Sequence, residues 1–199
     1  MSHSGERPAF LQRLEADEDN PLPADIQPTD DEPEARSELL IECIERTTHD
    51  LTDDYALAEV FGRMLKAMHE GLELDLAVLF MLDRKAWQLA PRMGAGSLFE
   101  RHKGDMTVSL SGNSRLVQVF QSGEDRSIPR PKQGSDDTLG WQFRGQADVA
   151  MVYPLHVNLA PFGVFYLEGR RAAFSEGNVN SLRTLRNQAA LAIKSRSRR

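Results

Sequence analysis

Residues 76–82, Leu-Ala-Val-Leu-Phe-Met-Leu, form an unbroken apolar run closed by Asp75 and Asp83. The run is short for a helix and reads as a central strand covered on both faces. Such a strand needs packed layers on either side, and the flanking segments supply them. Leu57, Phe61, Met64, Met68 and Leu72 recur at helical spacing, with Val60 and Leu65 widening the stripe. Thr52-Asp53-Asp54 offers that helix a cap and acids at its N-terminus, and Gly71 a stop. An earlier helix over 36–51 places Leu40, Ile44, Thr47 and Leu51 on a short heptad-like seam. Asp83-Arg84-Lys85 makes a turn into a second strand from Trp87 to Ala90, most simply a hairpin.

Gly94-Ala95-Gly96 reads as a turn, after which the pattern weakens. Met106–Leu110 alternates like a strand, and Leu116–Phe120 reads as a short helix between Ser114 and Gly123. Residues 125–145 are polar and irregular, with Trp141 and Phe143 embedded in them. Val149–Val157 and Phe162–Glu168 are two strong strands around a tight connection. Pro154 donates no ladder hydrogen bond and therefore needs an edge or a bulge, while Gly163 suits the tight turn between the strands. Ser175 caps a last helix through Lys194, striped by Val179, Leu182, Leu185, Ala189 and Ala192. Antiparallel strands with helices against them define an α+β fold, its first and last helices packed together.

Charge divides the chain. Residues 1–38 hold eleven acids against three bases, and the remainder holds 21 bases against 19 acids. With four prolines in Asp17–Pro33, residues 1–35 read as a disordered acidic tail. Phe10, Leu11 and Leu14 in it are either a docking peptide or incidental apolar residues. Residues 36–195 form the domain, and 196–199 a basic end. A net charge of −6 argues against a nucleic-acid partner, and no apolar run reaches a bilayer span. A single cysteine excludes a disulfide framework and a multi-cysteine metal site, and suits a reducing cytoplasm.

No catalytic constellation emerges. Ser111, Ser114 and Ser135 lack a nucleophile-elbow setting, and Asp136-Asp137 has turn composition. His102 with Glu100 and Asp105 reads as a solvated loop, so no metal site is expected. Cys43 on the first helix reads as a small buried apolar residue.

The stretches ADVAMVYPLHVNLAPFGVFYLE (147–168) and FSEGNVNSLRTLRNQAALAI (174–193) resemble those of GAF domains. The shared features are Pro154-Leu155, Gly163-Val164 and Phe174-Ser175-Glu176, and the resemblance extends from about residue 36 to 194. Leu65–Gly96 is also similar to the GAF-like region behind HDOD domains. The resemblance implies a central antiparallel sheet flanked by helices, and a non-catalytic sensory or regulatory module that is commonly dimeric. The Asn-Lys signature of cyclic-nucleotide binders is missing, because Ser114 follows Asn113, and Cys43 has no chromophore-attachment motif. Methionine-sulfoxide reduction in this family uses several cysteines.

The resemblance further implies a ligand held between sheet and middle segment. Candidate pocket residues are Phe99, Arg115, Leu116, Phe120, Trp141 and Phe143, with Arg130 or Arg144 as other anion contacts. The seam of Leu40, Ile44, Thr47 and Leu51 is the candidate homodimer interface. The cofactor is unknown. Expected partners are a second copy, an unidentified signalling protein addressed in trans and a small molecule, with no nucleic acid and no membrane. The alternative is a ligand-free interaction scaffold with a degenerate pocket; a small enzyme ranks last.

Overall fold

A computed structural model of the chain describes residues 37–53, 55–131, 139–158 and 160–196. The acidic tail, Ser135, Asp136-Asp137 and residues 197–199 of the basic end lie outside them. Helix α1 (Glu38–Asp50) buries Leu40, Cys43 and Thr47, and α2 (Leu57–Gly71) buries Val60, Phe61, Met64, Leu65 and Met68. Strands β1 (Leu76–Asp83) and β2 (Gln88–Ala95) form the expected antiparallel hairpin. Then come α3 (Ser97–His102), β3 (Val108–Ser109) and α4 (Arg115–Ser122). Strands β4 (Arg126–Pro129), β5 (Val149–Val157) and β6 (Ala160–Gly169) follow. A 3₁₀ turn (Arg171–Phe174) leads into α5 (Glu176–Arg196).

The strand order is β3-β2-β1-β6-β5-β4, and every pair is antiparallel. β1 is central, and its first five residues, Leu76–Phe80, are essentially without exposure. Its alternating side chains divide the core in two. Ala77 and Leu79 join the α1, α2 and α5 layer, whereas Leu76, Val78 and Phe80 join the layer built by α3, α4 and the 139–147 segment. The fold is α+β as the sequence pattern implies.

Several local readings change. α2 starts from Ala56 with no side-chain cap, and Thr52 Oγ1 instead donates to His49 O at 2.7 Å. Gly94 and Ala95 continue β2 rather than turn; Gly96, at φ 102°, then starts α3. β4 lies inside the stretch read as irregular, and its Ser127-Ile128 core takes strand form by pairing with Met151 and Ala150. Gly163 lies within β6, opposite Met81, and the turn falls at Asn158, at φ 53°. A methyl group on Gly163 would overlap the Phe80 carbonyl oxygen, so the glycine permits close backbone approach. Pro154 meets its requirement: β4 pairs β5 only as far as Val152, and a bulge follows Leu155. The final helix has its expected cap, with Ser175 Oγ accepting from the Asn178 N–H at 3.4 Å.

Gly163→Ala is expected to destabilise the fold by about 2 kcal/mol or more, the usual cost of overpacking. Gly104→Ala, where a methyl meets nothing within 4 Å, stays within about 0.5 kcal/mol of wild type. Urea denaturation of both variants checks the contrast.

Candidate functional site on the aromatic face

The face turned away from α1, α2 and α5 carries the aromatic residues. β1 presents Phe80 and β6 presents Tyr166, their rings 6.4 Å apart and edge to face. Trp141, from the segment between β4 and β5, stacks on Phe80 at 5.5 Å and meets Tyr166 edge-on at 5.1 Å. Two residues beyond Tyr166, and therefore on the same face of β6, lies Glu168 with 0% exposure.

Glu168 Oε1 accepts two hydrogen bonds, from the Phe143 N–H at 2.9 Å and the Tyr166 hydroxyl at 2.7 Å. Among the described residues Oε2 is buried without a partner, as is Trp141 Nε1. Desolvation pushes the Glu168 carboxyl up to about 7. The charge of Asp75 adds to the rise, while the bonds from Tyr166 and Phe143 and the Arg130 charge oppose it. Burial likewise pushes the Tyr166 phenol well up.

The segment that carries Trp141 and Phe143 is fastened by charged side chains. Arg130 Nη1 donates to Ala147 O at 2.9 Å, and Nη2 to Phe143 O at 2.7 Å and Gly145 O at 3.2 Å. Asp75 Oδ2 accepts from the Ala147 N–H at 2.5 Å. Gln142 Oε1 accepts from the Leu139 N–H at 3.0 Å, and Arg170 reaches the Gln146 side chain at 2.9 Å. Gly145 leaves room for Asp75, whose carboxylate would collide with any Cβ there.

Phe99, Leu116, Phe120, Trp141 and Phe143 come together in this one buried cluster. Gly94 makes Phe99 possible, because its ring occupies the space of a missing side chain. Arg115 stands exposed on α4; Arg144 is exposed and donates to Gly140 O at 2.5 Å; Arg130 holds the backbone carbonyls above. Leu40 and Thr47 point into the chain's own core, and Ile44 packs beside them. Sequence reasoning missed Glu168, Tyr166 and Phe80. Period-two alternation along Val164-Phe165-Tyr166-Leu167-Glu168 puts an acid on the inward face beside Tyr166, and that was the available signal.

Cys43 lies on the opposite face of the sheet, its thiol pushed up by burial. Glu100 pairs with Lys103 at 2.8 Å. Among the described residues no group of three or more His, Cys, Asp or Glu is placed to hold a metal ion, and no helix is long and apolar enough to cross a membrane.

Glu168 gives a pH signature. Its carboxyl binds a proton more tightly when folded, at about 7, than at its ordinary 4.5. The folded chain therefore holds more protons than the unfolded chain between those values. This contribution to stability is greatest at the acid end, falls as pH rises through the window, and is flat above it. From pH 5 to 8 the wild type should lose on the order of 2 kcal/mol relative to Glu168→Gln, read from urea midpoints.

The profile of the GAF domain family matches residues 56–193. No curated protein matches the chain in sequence. Among solved structures, the GAF domain of an Acinetobacter phosphoenolpyruvate-protein phosphotransferase is 15% identical with a TM-score of 0.63, over 81% of this chain and 96% of that one. Free methionine-R-sulfoxide reductase from Neisseria meningitidis, in complex with its substrate, is 14% identical with a TM-score of 0.64, over 87% and 98%. A GAF domain/HD domain protein from Geobacter sulfurreducens is 17% identical with a TM-score of 0.58, over 73% and 97%. At such identities the likeness is one of fold. The matched profile and the six-stranded antiparallel sheet between two helical layers agree, and the chain belongs to the GAF domain family.

Proposed function

We propose that this GAF domain is a non-catalytic sensory module that takes up a small ligand on its aromatic face and signals in trans to a separate protein. GAF domains are in general regulatory, sensory modules. One observation carries the finer reading: a fully buried carboxylate oxygen, Glu168 Oε2, has no partner among the described residues within an aromatic cluster. Buried polar groups are ordinarily paired, and an unpaired one is a standing cost that a ligand donor removes. The fitting ligand is a compact molecule with an amine or similar N–H donor for Glu168, an apolar body for Trp141, Tyr166 and Phe80, and an acceptor for Trp141 Nε1. The lone cysteine, raised in pKa and on the other side of the sheet, supports a non-catalytic role over thiol chemistry. A cytoplasmic setting is part of this proposal.

A scaffold reading is favoured by a different observation: Phe80, Trp141 and Tyr166 pack on one another and fill the face themselves. Native mass spectrometry of the full chain separates the two. A defined extra mass supports sensing; an apo species shifts the balance to the scaffold. A panel of small amines with their alcohol isosteres then tests the ligand class. An amine that binds should raise the melting temperature and alter Trp141 emission in a Trp87→Phe background, Trp87 being 54% exposed. Glu168→Gln should lose that response. If no stabilising compound changes Trp141 emission, the aromatic face is not the ligand site.

Homodimerisation belongs to the same proposal. The surface available for it is the outer side of α1 and α5, which lie side by side through Gln188 Nε2 bonds to Ile44 O at 3.1 Å and Thr48 Oγ1 at 2.7 Å. Ile41 at 52% and Leu191 at 56% exposure stand on that side. Ile41→Asp with Leu191→Asp should convert a dimer to a monomer by sedimentation velocity, with the fold intact. A variant that keeps the wild-type size sinks this interface.

A further inference from the structure

We propose that Asp125 is a positioning residue that couples the aromatic face to the terminal helix α5. It rests on the sensory reading only for what a movement on that face would mean. α4 lies on the aromatic side, burying Leu116, Val117, Val119 and Phe120 in that cluster. It ends at Gly123 in the left-handed region, φ 73°, which lets the chain leave the helix sharply. Gly123 has no side chain because His156 of β5 fills the space; a Cβ would lie 2.8 Å from the ring. Two residues later the chain has reached the sheet edge, and Asp125 reaches the opposite layer.

There Asp125 Oδ2 pairs with Arg183 Nε at 3.2 Å, and Oδ1 with Arg186 Nη1 at 3.1 Å. The carboxylate side chain is 9% exposed and the arginines 21% and 17%. Arg183 and Arg186 are one helical turn apart on α5, so one carboxylate grips a whole turn. Beneath lies the Tyr153 hydroxyl, fully buried and without a partner among the described residues; its pKa is pushed up first by burial, then by the Asp125 charge, while both arginines pull it down. Among the described residues Arg186 Nε is also buried and unpartnered. A charge pair this enclosed resists partial separation, because each ion would be left uncompensated in a poorly solvated site. A shift of the α4 C-terminus therefore either carries α5 with it or releases it entirely, and two discrete arrangements are what transmission between sites requires.

Hydrogen exchange on the full chain tests this without a ligand, so the outcome does not depend on whether one binds. Phe120→Leu disturbs the aromatic face from α4. In otherwise wild-type protein it should raise amide exchange in α4 and also in Leu182–Gln188 of α5, the latter by about fivefold or more. With Asp125→Asn added, the α4 effect should persist and the α5 effect should vanish. Arg183→Gln, which leaves the Arg186 pair in place, is the second background, and it should reduce the α5 response. An α5 response equal in all backgrounds, or none in wild type, overturns the proposal. Failure of the wild-type protein to bind any small amine, with the exchange pattern as expected, would instead refute the sensory reading and leave the coupling standing.

Discussion

The close approach of β6 to β1 is the constraint on which the other parts depend. β1 is buried on both faces, so both of its neighbours must pair along its length, and β6 does so from Leu76 to Met81. That pairing aligns Tyr166 with Val78 and Val164 with Phe80. It therefore sets which side chains of β6 face α5 and which face the aromatic cluster. A one-residue slip would exchange the faces, sending Tyr166 and Glu168 into the helical layer and Phe165 and Leu167 out of it. Gly163 protects the register, since only a residue without a side chain fits beside the Phe80 carbonyl.

Given that register, the acid on β6 is an expense in stability with a local return. Glu168 is wholly buried beside Tyr166, where an apolar residue would pack without desolvation cost. In exchange Oε1 fixes the Phe143 N–H, and through it the segment that carries Trp141. Asp75 and Arg130 fasten the same segment at Ala147, Gly145 and Phe143. A backbone held over an aromatic face by polar side chains as well as by the burial of Trp141 and Phe143 responds to changes in charge and hydrogen bonding beneath it. An apolar ligand surface alone would lack that control.

Much of the fold was legible from residue pattern. The apolar run at 76–82, the helical stripes before and after it, and the paired strands at 149–157 and 162–168 are set by local composition and burial, and they stand where expected. β4 was not legible: Arg126-Ser127-Ile128-Pro129 has one strongly strand-forming residue and becomes a strand by pairing with β5. Five pocket candidates meet in one cluster because α3, α4 and the 139–147 segment all bury their large apolar residues against the same face of the sheet. The arginines were less readable, since exposed and carbonyl-gripping guanidiniums look alike in sequence. The heptad-like seam illustrates the same ambiguity. Leu40 and Thr47 have the spacing of an interface, yet both are buried in the chain's own core, with Ile44 packed partly buried beside them.

The division of the core into two layers also explains where information can cross. β1, β5 and β6 are packed on both sides and close to incompressible, so small movements in one layer are resisted by the sheet. The edge beside β5 differs. β4 stops pairing at Val152, and the chain that precedes it wraps around the edge from α4 to Asp125. Charge is the means of contact there because Arg183 and Arg186 lie on the flank of α5, away from the Val179, Leu182, Leu185 and Ala189 stripe that grips the sheet. Helix α5 is thus held twice, by apolar burial against β5 and by ion pairing to the segment that leaves the aromatic side. Only the second hold depends on what α4 does.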